Sequence, residues 1–260
     1  MGTRTTTILS LFSGYGGLER GVAAAIGGAR AVCMVEREAF VIANMVAQME
    51  AGALAQAPIW TDVTTFDGRG WRPDMLVGGP PCQPFSTAGK RKHTDDERWI
   101  WADVARIIGE CQAPIVFLEN VPGLRKRGLS VMLRDLAAMG YDAEWGCFKA
   151  SDAGAPHRRN RLFLLAYSSG LGLSELWPSH DQNGGDAPRH QPNGCHAFPP
   201  SPDDTEGWRR WTRAGGPQPG VCGGSHGAPD RVDRIRLLGN GVVPAQAALA
   251  FRELSARALA

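Results

Sequence analysis

No stretch of this sequence approaches the roughly 18 consecutive apolar residues that crossing a bilayer demands. The first ten residues lack a basic segment leading into an apolar one, so no secretory leader is expected. Neither sign of charge dominates. Lys and Arg total 28 against 26 Asp and Glu, and a net charge of +2 excludes any global pull on a polyanion, so a nucleic-acid surface must be a local patch. Cysteine is sparse as well: six residues, at 33, 82, 111, 147, 195 and 222, with no CxxC pair, which excludes a disulfide-stapled scaffold and leaves reduced thiols. A soluble cytoplasmic protein is expected. Its 260 residues, 43% hydrophobic, suffice for one core with room for a small appendage.

What is present alternates. Residues 5–11 are β-branched and apolar, a glycine-rich turn follows, and residues 18–26 have helical character. Residues 31–35 form a second short apolar run, residues 39–49 a second helical pattern, and residues 75–77 and 115–118 two more short runs flanking the helical spacing of 99–108. This alternation predicts βαβ units and a mostly parallel sheet, an α/β fold. Residues 161–166 supply a last strand, expected near an edge, and residues 245–260 an amphipathic helix. Between them the character changes. Residues 167–230 hold 12 Gly and 9 Pro among 64 residues, along with Trp177, Trp208 and Trp211, which points to a loop-rich lobe inserted into a domain formed by 1–166 and completed by 231–260.

Three segments carry chemistry. Phe12-Ser13-Gly14-Tyr15-Gly16-Gly17 follows a strand and opens a helix, where glycines permit a tight turn and close approach of a cofactor; an ordinary strand-to-helix turn has the same look. Glu36, at the next strand end, is placed either to accept from ribose hydroxyls or simply to start a helix in solvent. In Gly78-Gly79-Pro80-Pro81-Cys82-Gln83-Pro84 two prolines stiffen the chain ahead of a thiol, which suits a nucleophile better than a core cysteine. Glu119-Asn120-Val121-Pro122 then ends a strand, and Pro156-His157-Arg158-Arg159-Asn160-Arg161 leads into another.

In this order, and with Leu238-Gly239-Asn240-Gly241-Val242-Val243-Pro244 near the end, these segments resemble the DNA cytosine-5 methyltransferase family, in its compact bacterial or phage form. The resemblance implies a Rossmann-like domain dependent on S-adenosylmethionine, with a small target-recognition lobe at 167–230. It implies that Cys82 adds to C6 of an extruded cytosine, that Glu119 holds N3 protonated, and that Arg159 and Arg161 contact the base and hold the site. Phe12, Gly14, Tyr15 and Gly17 would line the cofactor, Glu36 its ribose and Asp62 its adenine, with Pro80, Asn240 and Val242 completing the pocket. His157 stands where the family usually has Gln, so its role stays open.

Double-stranded DNA is the expected partner of a monomer, and no metal is expected, since His180, His190, Cys195, His196 and Cys222 match no usual ligand spacing. Residues 86–98, with Lys90-Arg91-Lys92, resemble a loop closing over DNA; it and Arg125-Lys126-Arg127 would meet phosphates. The lobe carries four Arg and seven Asp or Glu, a net −3, which leaves +5 on the remainder. Its reading of bases would therefore rest on a few contacts from Arg189, Arg209, Arg210, Arg213 or nearby Asn and His residues. A tRNA cytosine methyltransferase and a catalytically silent DNA-binding regulator are the alternative readings.

Overall fold

The computed structural model describes residues 5–81, 100–126, 128–170 and 241–260, together with 206 and 209. Seven strands form one sheet: β1 (Thr6–Leu11), β2 (Ala29–Val35), β3 (Ile59–Trp60), β4 (Met75–Gly78), β5 (Ile115–Asn120), β6 (Tyr141–Lys149) and β7 (Asn160–Ser168). Their order is β3-β2-β1-β4-β5-β7-β6. The pairings among β1 to β5 are parallel, while β7 runs antiparallel to both β5 and β6. Helices α1 (Gly17–Ile26), α2 (Ala39–Glu50), α3 (Trp101–Cys111), α4 (Leu129–Ala138) and α5 (Pro244–Ala258) complete the described fold.

Strands β4 and β5 are buried on both faces along their whole length, which is why their sequences read as unbroken apolar runs. Side-chain alternation along each strand then divides the core in two. Leu9, Leu76, Val116, Leu118 and Leu164 pack with α3 and α4 through Val104, Ile108, Met132 and Leu136. Ile8, Met75, Val77, Phe117 and Phe163 face the opposite way, against Val22 of α1 and Ala247, Phe251 and Leu254 of α5. The final helix, the last element of the chain, is thus packed beside the first.

The strand expected near an edge at 161–166 is β7, second from the edge: it lies between β5 and β6, and the edge itself is β6, an element the sequence reading passed over. Tyr141–Lys149 alternates polar and apolar residues, Phe148 facing the α5 layer and Tyr141, Ala143 and Trp145 the other. Five consecutive buried residues of β7, Leu162 to Ala166, fit an interior position. That strand also runs two residues further than expected, to Ser168.

The direction of chain progression across the sheet reverses between β1 and β4, since β2 and β3 lie to one side and β4 and β5 to the other. Ligands of open α/β sheets bind outside the carboxyl ends of the strands at such a reversal. Both the glycine turn and the Pro-Pro segment sit there, because Leu11 at the end of β1 is paired with Gly78 at the end of β4.

Candidate active site

The turn after β1 is held in conformations that favour glycine. Phe12 has φ +54, Gly14 +57 and Gly16 +78, so the chain reverses within five residues and delivers α1 directly above the strand. The Ser13 amide donates to the carbonyl of Val35 at 3.2 Å, and the Gly14 amide to Glu36 Oε2 at 2.9 Å. Glu36 Oε1 accepts from the amides of Arg37 and Glu38 at 2.8 and 2.9 Å. Glu36 therefore ties the first turn to the end of β2, and Oε2, with one described donor, keeps acceptor capacity toward the space above. A Cβ at Gly14 would meet nothing within 4 Å, so that space is open.

Asp62 follows β3. Its Oδ1 accepts from both the amide and the hydroxyl of Thr64, at 2.9 and 2.8 Å, and these bonds, helped by Arg37, lower its pKa. Its demonstrated local task is to close a turn. The Glu36 amide donates to the carbonyl of Trp60 at 2.9 Å, two residues before Asp62, which puts Asp62 on the Glu36 side of the rim.

A second cluster forms where β4 and β5 end and β7 begins. Glu119 and Asn120 are the last residues of β5, both buried. Asn120 Nδ2 donates to the carbonyl of Pro80 at 3.1 Å, while Asn120 Oδ1 accepts from the Val121 amide at 2.8 Å, which clamps the Pro-Pro segment to β5. A Cβ at Gly79 would lie 3.4 Å from Glu119 Oε2. Because β7 is antiparallel, its first residues share this rim, and Arg161 Nε approaches Glu119 Oε1 at 2.9 Å as an ion pair that is not aligned as a hydrogen bond. Burial is the largest influence on Glu119 and pushes its pKa up, against the opposing pull of Arg161 and Arg159. Its burial disposes this carboxyl to hold a proton.

Arg159 stands beside this pair at φ +24, and its Nη2 donates to the carbonyl of Gly241. Burial and the neighbouring Arg161 lower its pKa, with Glu119 and Tyr15 opposing. The Tyr15 hydroxyl donates to the adjacent carbonyl, that of Val242. Burial raises its pKa, and Arg159 and Arg20 oppose that rise. A Cβ at Gly17 would fall 2.3 Å from the Val242 oxygen, and one at Gly241 1.8 Å from the Tyr15 ring. The segment before α5 thus seals the gap between the two clusters.

Of the residues singled out from sequence, Phe12, Gly14, Tyr15, Gly17, Glu36, Pro80, Glu119, Arg159, Arg161 and Val242 meet along this rim, and Asp62 borders it. His157 is exposed. Cys82, Asn240, Arg127 and the loop at 86–98 lie outside the described residues, as does the lobe apart from 167–170, 206 and 209; Arg209 is exposed, 3.8 Å from Glu206. Sequence reasoning missed Gln246, Ser10, Ser13 and Glu19. Gln246 and Glu19 were detectable as polar residues on the apolar faces of their helices.

A family model described as C-5 cytosine-specific DNA methylase matches residues 6–194. The chain belongs to this family. Within it, the chain is 30% identical over 181 residues to the Type II methyltransferase M.HgiCII of Herpetosiphon aurantiacus, a match covering 67% of this chain and 40% of that one. Similarity to the Type II methyltransferase M.MspI of Moraxella sp. is 32% over 166 residues, 61% of this chain and 38% of the relative. The family member described here spans about two-fifths of the length of these relatives.

Among solved structures, a putative DNA modification methyltransferase encoded within a prophage of E. coli is 28% identical, with TM-score 0.52 over 64% of this chain and 47% of that one. The S. pombe Dnmt2 methyltransferase shares the fold, with TM-score 0.61 at 16% identity, over 97% of this chain and 99% of that one.

Proposed function

We propose that this chain transfers a methyl group from S-adenosylmethionine to C5 of cytosine within a short sequence of double-stranded DNA. The observation that carries the reading is the buried Glu119, flanked by Arg161 at 2.9 Å and by Gly79 and Pro80, at the reversal point of the sheet. The cofactor fits the other half of the rim: the strained Phe12–Gly14 turn, the open space over Gly14 and the unspent acceptor capacity of Glu36 suit an amino-acid nucleoside. Phe12, Gly14, Tyr15 and Gly17 would line it, Glu36 would take its ribose hydroxyls, Asp62 its adenine amine, and Pro80, Asn240 and Val242 would close the pocket. When bound, S-adenosylmethionine supplies an electrophilic methyl group.

Each residue then has a task set by the poor nucleophilicity of cytosine C5. Cys82, presented behind two prolines, adds as thiolate to C6 and turns C5 into an enamine-like carbon; once C5 has taken the methyl group, loss of the C5 proton to a base expels the thiolate and restores the ring. Glu119, whose buried carboxyl favours the protonated form, holds a proton at N3 and accepts from the exocyclic amine as charge builds in the ring. Arg161 fixes the Glu119 carboxyl, and Arg159 reaches the base. Because C5 is inaccessible within stacked DNA, the cytosine must be extruded into this site. We assign residues 167–230 to target recognition and the basic residues Arg125 and Lys126, both exposed, to phosphate contact.

The test is transfer of labelled methyl to duplex DNA and to tRNA by the wild type and Cys82→Ala, with bisulfite sequencing of the DNA. Methylcytosine in one short DNA motif, absent with Cys82→Ala, is expected. Transfer to tRNA alone would move the substrate to RNA, and cofactor binding without transfer to either would make the chain a silent binding protein.

A further inference from the structure

Gln246, in the first turns of α5, is fully buried, yet the proposed chemistry has no use for it. Its Nε2 donates to two main-chain carbonyls, Phe148 at the end of β6 and Arg159 ahead of β7, each at 2.8 Å. Its Oε1 meets no described donor. An apolar side chain on this face of the helix would avoid that desolvation cost. The amide therefore does something that packing alone would not ask for.

The carbonyl it holds belongs to a strained residue. Arg159 has φ +24, in the region an L side chain enters only when its surroundings over-determine the backbone. The described restraints come from two sides. From the short 3-10 turn after β6 (Ala150–Ala153), the Ala150 amide donates to the carbonyl of Arg158 at 2.9 Å, with a longer contact of 3.4 Å to that of Arg159. From the C-terminal segment, Gln246 grips the Arg159 carbonyl while Gly241 accepts from the far end of the same side chain. Both ends of Arg159 are thus held by residues five positions apart in one segment. Letting go of the carbonyl would free the peptide to return to negative φ, which swings the guanidinium away from Glu119 and Tyr15.

We infer that Gln246 is a positioning residue that holds Arg159 in the backbone conformation required at the target base. The inference rests on the proposed role of Arg159 as a base contact. Loss of the amide leaves the guanidinium chemically intact but misplaced, so the turnover step suffers and binding of S-adenosylmethionine does not.

The experiment is a double-mutant cycle on the full chain with Gln246→Leu, Arg159→Ala and the double variant, following kcat and KM on duplex DNA and the unfolding midpoint of each. Gln246→Leu should lower kcat by roughly tenfold to a hundredfold, the scale of a misplacement near 1 Å, with KM for S-adenosylmethionine unchanged. In the Arg159→Ala background it should cost nothing further. An equal loss in both backgrounds would show a merely structural tie and overturn the inference, as would unchanged kcat. If Gln246→Leu does not fold, Gln246→Met fills the same space without the amide, and failure of both to fold makes the residue a structural tie. Full activity of Arg159→Ala alone would instead refute the base contact on which the inference stands.

Discussion

Two buried carboxyls lie near the same strand ends, and their surroundings give them different work. Glu119 has two arginines within electrostatic reach, so its raised pKa coexists with a charge partner. Replacement by Gln keeps the shape but removes both the transferable proton and the partner of Arg161. Glu119→Gln should lower kcat by about 10²–10⁴, read in single-turnover methylation, with the cofactor's binding constant unaffected. Glu19 has only the adjacent Arg20 as a described cationic neighbour. In the first turn of α1 it accepts from the Ser10 hydroxyl, which lies 2.8 Å from that of Ser13, while its Oε2 meets no described donor. Burial is the leading cause of its raised pKa, Glu36 adds to it, and the Ser10 bond, the Glu19 backbone and Arg20 oppose.

The sign of the pH effect follows from proton counting. An unfolded Glu releases its proton near 4.3, whereas folded Glu19 keeps it to higher pH, so the native state binds more protons across that interval. Stability from this group is complete below the unfolded value and is lost as pH rises through the folded one. Unfolding midpoints of wild type and Glu19→Gln, measured from pH 4 upward, should therefore converge or cross in favour of Gln as pH rises. A constant difference across the range would mean that Glu19 is ionised in the fold.

At the scale of elements, the contact of α1 with α5 brings the segment before α5 to the glycine turn after β1. It depends on Gly21, where a Cβ would sit 2.5 Å from the Ala247 Cβ and 2.7 Å from the Pro244 carbonyl. Two effects compete in Gly21→Ala. Helix propensity favours Ala by about 1 kcal/mol, and overpacking against atoms that cannot move aside costs about 1–3 kcal/mol. The second should win, lowering stability in urea unfolding. A stabilised Gly21→Ala would show that the helices do not need this approach.

The elements also show what was legible. Parallel strands β1, β2, β4 and β5 announce themselves as apolar runs because both faces are covered, and α1 because glycines bracket it. The edge strand β6 has only a two-residue alternation of mixed polarity, which a long loop can share, so nothing local marks Tyr141–Lys149 as a strand; its pairing with β7 does.

For the molecule as a whole, a net charge of +2 conceals an uneven distribution, −3 over residues 167–230 and +5 elsewhere. If the catalytic side carries the phosphate contacts, each one releases counterions and contributes about 0.9 to the slope of log affinity against log salt. Changing both Arg125 and Lys126 to Ala should flatten that slope by about 1.8 without altering which sequence is preferred, as read by fluorescence anisotropy on matched and mismatched duplexes. An unchanged slope would remove these residues from the DNA surface.

By itself the sequence determined the kinds of groups available and their order along the chain. The glycine turn, the prolines before Cys82, Glu119 and the arginine pair could be read because turn geometry and stiffness are local properties, and because their joint order resembles one family. Only the tertiary structure decided which of them meet. Glu119 faces Arg161 because β7 runs antiparallel to β5, a long-range pairing that no local pattern encodes. Gln246 reaches Arg159 because α5 folds back beside α1 across nearly the full length of the chain. Pairing and burial of residues so distant in sequence are settled by the packing of the whole core, where the energy of a contact depends on what every other element covers.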